Sequence, residues 1–439
     1  LGTLFKLEII ASDLLGASNS SFFEQKLGAC DPEEDDFLGS SVAVDGDYIA
    51  IGAKFADVGG STDAGAVYIF EKSGLAWQQV ARLVPSVIAA NGNFGSAVAI
   101  SGNRLLVGAE GQDQAFLFQR GGGGLWTEIT GPITGSDTAG GDAFGASVDI
   151  SGTNYVIGAP LHDGNGPDAG AAYLFGGTTT KLVPSDIQDG DLLGGSVAID
   201  GNSAIVGAPG EDSGGVDAGS AYVFVNGTEQ GKLSPSDGQN ADQFGTDVDI
   251  VGDTAIIGSP LEDASAFAAG AAYIFVRVGG VWEQQEKLLA SDGSLSDNFG
   301  AAVAITDELP NLTVSIGAPF DDDGTTDSGS VYLFSRDVNT NWLQGAKESA
   351  DDGAAGDRFG SRVDLDGKQL VVGAHFADVT KNATLAADSG ASYVINVDRG
   401  EICIIVVDAN DPPVIADGAF TIDENVANLT AVGTMDSSD

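Results

Sequence analysis

FGTDVDIVGDTAIIGSPLEDASAFAAGAAYIFVRVGGVWEQQEKLLASD, residues Phe244–Asp292, is the stretch of sequence that decides the fold. It contains four short segments with the residue pattern of β-strands, which begin at Val248, Ala255, Ala271 and Trp282. Turns rich in Gly, Asp and Ser separate these segments, as expected between consecutive antiparallel strands. The unit therefore predicts a small sheet of four strands.

The same unit recurs seven times along the chain of 439 residues. Each repeat opens with a Phe-Gly or Leu-Gly pair, and the spacing between consecutive pairs runs from 49 to 60 residues. The pairs begin at Leu38, Phe94, Phe144, Leu193, Phe244, Phe299 and Phe359. A regular period of this size indicates a repeat architecture. Seven units of four strands predict an all-β protein, a seven-bladed β-propeller of four-stranded blades.

The charge of the chain argues against several classes of partner. The 64 Asp and Glu residues outnumber the 18 Lys and Arg residues, and the formal net charge is −46. Because like charges repel, we expect no nucleic acid and no anionic membrane as partner. No apolar run approaches the length of a membrane-spanning helix, so no membrane insertion is expected. The chain begins at Leu1 and its only Met is Met435, which suggests a processed or truncated start.

Aligning the repeats with one another assigns roles to their shared positions. Branched residues such as Val248 and Ile250 alternate after each Gly of the opening pair, and we expect them to pack between neighbouring blades. A Tyr recurs in the third strand of six repeats, and we interpret it as a packing residue. It is found at Tyr68, Tyr173, Tyr222, Tyr273, Tyr332 and Tyr393.

A pair of aspartates five residues apart recurs in the loop from each outer strand to the next inner strand. The pairs are Asp31/Asp36, Asp137/Asp142, Asp186/Asp191, Asp237/Asp242, Asp292/Asp297 and Asp352/Asp357. One repeat lacks both members, with Val87 and Gly92 in their places, which suggests that the two carboxylates act on each other or on one shared object. Two interpretations stay open: hydrogen bonds that shape the loop, or a cation held between the carboxylates. The candidate ligands are Asp237, Asp242, Asp292 and Asp297.

A second acidic cluster follows the Gly-Ala-Pro turn of the sixth repeat. Asp321, Asp323 and Asp327 are candidate cation ligands there, and a solvated surface loop is the alternative. Groups suited to catalysis are few, since the only histidines, His162 and His375, lie in equivalent loops of different repeats. No Ser/His/Asp, Cys/His or zinc-ligand spacing rises above chance. We therefore expect that the protein is not an enzyme.

The repeat resembles the FG-GAP repeat, which builds integrin α-subunit propellers and many bacterial surface proteins, and it is most similar to the bacterial branch. The resemblance covers about residues 22–400 and rests on the pattern FGxSVxI…xxGAP…GxAYxF…KLxxSD. It implies a secreted or cell-surface module for adhesion or surface structure, whose partners are other surface proteins or glycans. Integrin-type repeats also carry a DxDxDG calcium loop. Here that position is a tight turn such as Gly252-Asp253, so calcium binding by that route is not carried over.

The chain divides into three parts: an N-terminal extension, 1–21; the propeller, 22–407; and a short C-terminal part, 408–439. The last part resembles the opening strands of a cadherin-like β-sandwich domain, with its DxND linker and its T-I-D-E-N strand. The resemblance implies calcium ligands at Asp408, Asn410, Asp411 and Glu424, so Ca²⁺ is the candidate cofactor. It covers about a third of such a domain, which is too little to bury a core of its own.

Two segments compete to be the outer strand of the last blade, and the sequence leaves the choice open. Phe23–Gly39 has the pattern of an outer strand but precedes the first repeat, while Glu401–Asp408 follows the seventh. These segments contain the only cysteines, Cys30 and Cys403, so we expect the two to be neighbours and to form a disulfide in an oxidising compartment. The orphan strand in Leu4–Asp13 supports an alternative function, a fibre subunit that self-associates through terminal strands. A propeller enzyme is the third hypothesis.

Overall fold

The computed structural model describes residues 24–397 apart from 32, 264–265, 309–310, 323 and 382–383, and the short backbone segments 6–7 and 406–407. For residues 379–381 and 384–386 it describes the backbone alone. The described chain forms seven four-stranded antiparallel sheets, and its one helical element is a 3₁₀ turn, Glu110–Gln112. The predicted all-β fold with seven blades of four strands is confirmed. We find no helix there with the length and apolar character that crossing a membrane requires.

Each blade consists of an inner, a second, a third and an outer strand. For blades 1 to 4 the strands are, in that order, Leu38–Asp45, Tyr48–Ala53, Ala66–Ser73 and Ala76–Leu83; Phe94–Ser101, Arg104–Ala109, Gln114–Arg120 and Trp126–Ile133; Val148–Ser151, Asn154–Ala159, Ala171–Phe175 and Thr180–Leu182; Val197–Asp200, Ser203–Ala208, Ser220–Val225 and Thr228–Leu233. For blades 5 to 7 they are Val248–Val251, Thr254–Ser259, Ala271–Val278 and Val281–Leu288; Ala302–Thr306, Thr313–Ala318, Ser330–Arg336 and Trp342–Glu348; Arg362–Asp366, Gln369–Ala374, Ala391–Asn396 and Glu24–Leu27.

The blades form a closed ring around a central channel. Each inner strand contacts the inner strand of the next blade, and the seventh contacts the first. The channel has a volume of about 520 Å³, and residues of all seven inner strands line it. The strands that follow the Phe-Gly or Leu-Gly pairs therefore surround the axis, as predicted.

The core consists of layers between neighbouring blades. Val248 and Ile250 pack with residues of blade 4 such as Ile205 and Val223, which confirms the role predicted for the branched positions. The largest fully buried side chains are the Tyr of the third strand and the Phe of the opening pair. In blade 5 the rings of Phe244 and Tyr273 meet edge to face, with their centres 5.4 Å apart. The recurrent aromatic residues are therefore core residues that bury large areas.

The repeated glycines are required where neighbouring blades touch at the level of the backbone. Gly300 follows the Phe of blade 6 and has a φ of +96°, a conformation that L side chains rarely adopt. A Cβ atom on Gly258, in the Gly-Ser-Pro turn of blade 5, would overlap the carbonyl oxygen of Gly300. The two glycines of the motif thus face each other across the blade interface, and neither position can hold a side chain.

The N-terminal strand completes the last blade. Glu24–Leu27 pairs antiparallel with Ala391–Asn396, and Lys26 lies opposite Tyr393. The outer strand of blade 5 has the same register, with Lys287 opposite Tyr273. Of the two competing segments, the N-terminal one is therefore the outer strand. Residues 406–407 from the other candidate pair with residues 6–7 in a separate two-stranded sheet.

The loop between the second and third strands varies most between blades. In blade 2 it is reduced to the 3₁₀ turn Glu110–Gln112. In blade 7 the corresponding loop contains a small hairpin, Val379–Lys381 and Thr384–Ala386. The described cores of the blades remain equivalent, so the loops are where one blade differs from the next.

Candidate functional site

The first aspartate of each pair belongs to a polar cluster inside its own blade. In blade 5 the Tyr273 hydroxyl donates to Asp237 at 3.1 Å, and Lys287 Nζ lies 2.6 Å from the same carboxylate. Lys287 also donates to Glu262 at 2.8 Å, and Glu262 is only 1% exposed. One lysine thus joins a half-exposed carboxylate to a buried one, and its ammonium lies 5.4 Å from the centre of the Tyr273 ring.

The tyrosine, aspartate and cation recur in the other blades that carry the aspartate pair, whereas the buried carboxylate recurs only as Glu211 in blade 4 and Asp321 in blade 6. The tyrosine hydroxyl donates to the first aspartate in the pairs Tyr68–Asp31, Tyr173–Asp137, Tyr332–Asp292 and Tyr393–Asp352, at 2.7 to 3.0 Å. The cations of these clusters are Arg82, Lys181, Lys347 and Lys26. Blade 4 differs in one contact. Lys232 binds both Asp186 and Glu211, but the buried Tyr222 hydroxyl has no hydrogen-bond partner among the described residues.

Electrostatics favour the ionised form of four of these aspartates. Partial burial alone would raise the pKa of Asp237, but the hydrogen bond and charge of Lys287 outweigh it, and the pKa is lowered. The pKa values of Asp137, Asp292 and Asp352 are lowered in the same way. Burial raises the pKa of the Tyr273 hydroxyl, which therefore stays protonated and acts as the donor. Each cluster is accordingly an ion pair with a neutral tyrosine.

The second aspartate of each pair shapes its loop. Asp242 is buried and accepts a hydrogen bond from the backbone N–H of Gln239 at 2.7 Å. Burial raises its pKa, and the Gln239 hydrogen bond and the Lys287 charge oppose that rise. Five further loops have the same contact from a residue three positions earlier, in the pairs Asp36–Glu33, Asp142–Ala139, Asp191–Gln188, Asp297–Ser294 and Asp357–Ala354. The contacts match the loop-shaping interpretation for this member of the pair.

Blade 2 lacks the whole cluster rather than the aspartates alone. Its third strand has Phe116 where the other six blades have Tyr, opposite the second-strand residue Val107. Pro132 precedes Ile133 at the position that holds Lys or Arg elsewhere. The loss of the two aspartates therefore coincides with the loss of the hydroxyl and of the cation. The first aspartate of each pair thus contacts the tyrosine–cation unit of the same blade, and it is absent where that unit is absent.

The described carboxylates of the second acidic cluster also contact other groups of the protein. Asp321 is buried, accepts from the Tyr332 hydroxyl at 2.7 Å and lies 2.9 Å from Lys347 Nζ. Asp322 accepts from the backbone N–H of Asp327, and Asp323 lies outside the described residues. Within the described part of the chain, no three His, Cys, Asp or Glu side chains are placed to hold a metal ion together. Cation binding by Asp321, Asp323 and Asp327, or by the aspartate pairs, stays a prediction.

Three carboxylates that the sequence analysis missed link neighbouring blades at the channel. Asp149 accepts from the N–H of Ile199 in the next blade at 2.6 Å, and Asp249 accepts from that of Ile305 at 2.8 Å. Asp364 closes the ring, since it accepts from the N–H of Val44 in blade 1 at 2.6 Å. Inner strands have no fifth strand beside them, so these carboxylates satisfy donors that would otherwise point into the channel. The sequence signal was the Asp in blades 3, 5 and 7 where the other blades have Ala.

The channel environment disfavours the ionised form of these groups. Burial raises the pKa of Asp149 to about 6 and that of Asp364 to about 7. The pKa of Asp249 lies well above its usual value, because of burial and because Asp149 and Asp364 face it across the channel. Asp247, which binds the N–H of Val303, has a pKa raised to about 6 by burial. The channel therefore takes up protons in a pH range where exposed aspartates do not.

A family model described as the FG-GAP repeat matches the chain seven times, over residues 22–70, 77–122, 126–175, 177–224, 228–275, 282–334 and 342–395. The chain belongs to the FG-GAP repeat family. No curated protein sequence matches it. Among solved structures, the crystal structure of the computationally designed Ika8 protein is 13% identical, covers 85% of this chain and 99% of its own, and has a TM-score of 0.47. Sqt1 of Saccharomyces cerevisiae is 11% identical, covers 87% and 100%, and has a TM-score of 0.45.

The two histidines of this FG-GAP propeller have different surroundings. His162 takes the place of Glu262 in the blade 3 cluster, with Nε2 3.2 Å from Lys181 Nζ and 3.7 Å from Asp137. His375 lies in blade 7, where its Nδ1 is 2.9 Å from the Ser361 hydroxyl oxygen. Burial, followed by the charges of neighbouring cations, lowers the pKa of His375 to about 3. His375 is therefore neutral at physiological pH.

The remaining predicted site residues of the FG-GAP chain lie at its ends. Asp408, Asn410, Asp411 and Glu424 are outside the described residues, and so is Cys403. Cys30 is exposed and is unpaired within the described part of the chain. The calcium site at the junction and the Cys30–Cys403 disulfide stay predictions.

Proposed function

We propose that the protein is a non-catalytic module of the extracellular surface that presents its FG-GAP propeller to other surface proteins or glycans. Family membership supports an adhesion-type module, since repeats of this family are typical of extracellular proteins. The closed ring supports it as well, because a rigid scaffold positions variable loops at low conformational cost on binding.

The observation that supports the proposal is that the polar side chains of the blades contact other residues of the propeller. The Tyr–Asp–Lys clusters and the channel carboxylates hold the blades together, as Lys287 and Asp364 do through contacts with their own blade or the next one. Among the residues that the structure describes, the one Ser–His contact that resembles a nucleophile and its base is Ser361 with His375. A histidine whose pKa is about 3 is a poor general base near neutral pH, which supports binding rather than catalysis.

The proposal is tested by binding and by location. The purified chain is passed over immobilised extracellular-matrix proteins and over an array of defined glycans, and intact source cells are labelled with an antibody against it. We expect saturable binding to at least one immobilised ligand and labelling without permeabilisation. Labelling that requires permeabilised cells, or turnover in a hydrolase and lyase screen that is lost in Ser361→Ala, would refute the proposal.

A fibre subunit is a second candidate because of how the ring closes. The outer strand Glu24–Leu27 pairs with Ala391–Asn396, more than 360 residues further along the chain. Such a strand is readily exchanged between copies, and an exchanged strand would link propellers into a chain. Light scattering after size exclusion and negative-stain imaging distinguish the two: a monodisperse monomer excludes the fibre, and filaments support it.

Calcium is part of the proposal only at the C-terminal junction. The support is the cadherin-like pattern at Asp408, Asn410, Asp411 and Glu424, whose oxygen ligands suit Ca²⁺. Calorimetric titration of the full chain should show binding that disappears in Asp411→Ala. A titration without heat, together with a melting temperature unchanged by EDTA, would refute the site.

A further inference from the structure

Three adjacent blades, 6, 7 and 1, carry a row of aromatic and basic side chains at the end of the propeller where the Phe-Gly pairs lie. Its members are Phe320, Arg358, Phe376, His375, Phe37, Phe55 and Lys54, and all are half-buried. We call this row the aromatic strip. Its side chains come from three separate blades.

The strip is continuous from one basic residue to the other. The Arg358 guanidinium lies 4.6 Å from the ring centre of Phe320 and 4.4 Å from that of Phe376. The ring of Phe376 is 5.0 Å from that of Phe37, which in turn is 5.2 Å from the ring of Phe55. Lys54 Nζ lies 5.1 Å above the Phe55 ring. Two cations therefore flank a surface of phenyl rings.

Arg358 has unused hydrogen-bonding capacity. Its guanidinium makes no hydrogen bond and no ion pair with another described residue, although it contacts two ring faces. Contacts through its faces leave its N–H donors, which lie in the guanidinium plane, free to bind a planar anion with two parallel bonds. Stacking also restricts the side chain before a ligand arrives, which lowers the entropic cost of binding. The arrangement is a preformed receptor for a carboxylate.

The strip exists because of the side chains in these three blades, since the backbone conformation is shared by all seven. The residue before the Phe-Gly or Leu-Gly pair has a positive φ in every blade, and in blades 7 and 1 it is Arg358 and Phe37. The second position after the Gly-Ala pair is aromatic only in blades 1, 6 and 7, whereas the remaining blades have Gly111, Leu161, Gly210 and Leu261 there. Packing of the fold therefore does not require these aromatic residues.

The strip also differs in charge from the rest of the molecule. Arg358, Arg362 and Lys54 surround His375 closely enough that their charges, after burial, contribute to its lowered pKa. Acidic groups lie close by as well: Glu110 pairs with Lys54 at 3.3 Å, and Asp388 is influenced by Asp378 and Asp35 as well as by Arg358. Arg358 is the cation of the strip without an ion pair among the described residues, so it is the group that can select a negatively charged partner.

We infer that the aromatic strip binds a protein segment in which carboxylate side chains flank apolar ones. The inference rests on the proposed function and names the surface and the partner chemistry for it. One carboxylate pairs with Arg358, another takes the place of Glu110 at Lys54, and the apolar side chains cover the phenyl rings between them. Aromatic and Arg residues grouped in this way are typical of the residues that contribute most to protein interfaces.

A peptide fits the strip better than a sugar does. Sugar hydroxyls need convergent donors and acceptors when they are buried, and an unpaired buried hydroxyl is costly. Between Arg358 and Lys54 the strip offers three phenyl rings and the neutral His375, whose Nδ1 already contacts Ser361. An apolar side chain loses nothing on that surface, whereas a sugar ring leaves hydroxyls without partners.

The test uses three labelled probes with the full chain at physiological salt. They are a peptide that alternates Glu and Leu, its Gln/Leu counterpart, and an oligogalacturonate. We expect the acidic peptide to bind about tenfold or more tightly than the Gln peptide, since charge-assisted bonds are lost in the latter. Arg358→Gln should remove that preference, and Arg358→Lys should restore only part of it, because lysine lacks the planar fork.

A matched control is Arg104→Gln, which removes the same charge at the opposite end of a blade and should leave binding unchanged. Phe376→Ala should weaken both peptides, with a melting curve to verify the fold. Equal affinity for the acidic and Gln peptides, no binding of either, or no effect of Arg358→Gln would overturn the inference. So would Arg358-dependent binding of the oligogalacturonate alone. If the chain binds a matrix protein or glycan but the Arg358 variants bind it normally, the proposed function stands and this surface is wrong.

Discussion

Blade 2 and blade 5 have the same four strands but differ in what lies beneath the third strand. In blade 5, Tyr273, Asp237, Lys287 and Glu262 form a hydrogen-bonded ionic cluster. In blade 2 the equivalent positions hold the uncharged residues Phe116, Val87, Pro132 and Gln112, and the Phe116 ring meets that of Phe94 at 5.6 Å. The blade fold therefore does not depend on the cluster. The tyrosine, the first aspartate and the cation are present or absent together, whereas the buried carboxylate is replaced by Ala56 and Ala377 in blades 1 and 7.

This difference follows from the energetics of buried charge. Replacing a buried ion pair as a whole with apolar groups costs little, whereas removing one partner leaves a buried charge uncompensated. Blade 2 shows the complete replacement, and the other six blades retain the charged form. Single substitutions should therefore be more harmful than the natural replacement of the whole set.

The largest effect is expected from removing the cation of an intact cluster. Lys287→Met leaves Glu262, which is 1% exposed, without the ammonium that lies 2.8 Å away. We expect the free energy of unfolding to fall by about 3–5 kcal/mol in chemical denaturation, as for other broken buried pairs. Lys72→Met serves as the control, because Lys72 contacts the Trp77 ring and has no ion pair among the described residues. Equal losses in the two variants would contradict the account.

The second effect comes from placing one member of the cluster in blade 2. Phe116→Tyr adds a hydroxyl at a fully buried position where Val87 replaces its acceptor. An unsatisfied buried hydroxyl should cost about 1–3 kcal/mol in thermal or urea unfolding. Adding Val87→Asp should recover part of that loss. If Phe116→Tyr alone is stabilising, the hydroxyl has another acceptor and the comparison fails.

The blades also differ in their inner strands, since blades 3, 5 and 7 have Asp where the other four have Ala. This difference predicts that the stability of the protein depends on pH. Burial raises the pKa of Asp364 to about 7 in the folded protein, above its value of 3.8 without burial. The folded state therefore binds a proton that the unfolded chain does not, so this group favours folding increasingly as pH falls from about 7 towards 4. We expect the melting temperature to rise by a few degrees between pH 8 and pH 5. Asp364→Asn should reduce that rise, and the exposed control Asp189→Asn should not; an unchanged slope in Asp364→Asn would refute the assignment.

The smallest expected effect is a difference in stability between Phe variants of two tyrosines in equivalent positions. Tyr273→Phe removes a hydroxyl that donates to Asp237, and we expect a loss of about 0.5–1.5 kcal/mol. Tyr222→Phe removes a buried hydroxyl that has no partner among the described residues, so it should be neutral or slightly stabilising. Thermal melts of the two variants side by side decide this, and the opposite order would contradict the hydrogen-bond assignment.

The sequence predicted the fold because the repeat carries its own signals. The glycines, the alternating strands and the seven Phe-Gly or Leu-Gly pairs each reflect a local requirement, such as the contact between Gly258 and Gly300. The closing strand could not be chosen, because both terminal segments have a β-strand pattern. The structure selects Glu24–Leu27, whose Lys26 repeats the register of Lys287 opposite the tyrosine.

The polar clusters could have been predicted from the sequence. The tyrosine is absent from one repeat and the aspartate pair is absent from one repeat, and the two absences fall in the same blade. Treating the tyrosine as packing and the aspartates as loop residues separated two observations that belong together. The aromatic strip was out of reach, because its members come from three blades and from positions that the repeat does not hold constant. Only the closed ring places Arg358, Phe376 and Phe55 along one surface.

The central claim is that the first aspartate of each pair serves the tyrosine–cation unit of its own blade. A thermodynamic cycle in blade 5 tests it most directly, with Lys287→Met, the double variant Asp237→Val/Glu262→Gln, and all three changes combined, each unfolded in urea with EDTA present. We predict that the triple variant is more stable than the sum of the separate losses implies, by about 2–3 kcal/mol, as residues of one ionic network usually are. Losses that simply add, or a coupling that appears only when Ca²⁺ replaces EDTA, would show that the aspartates serve something else.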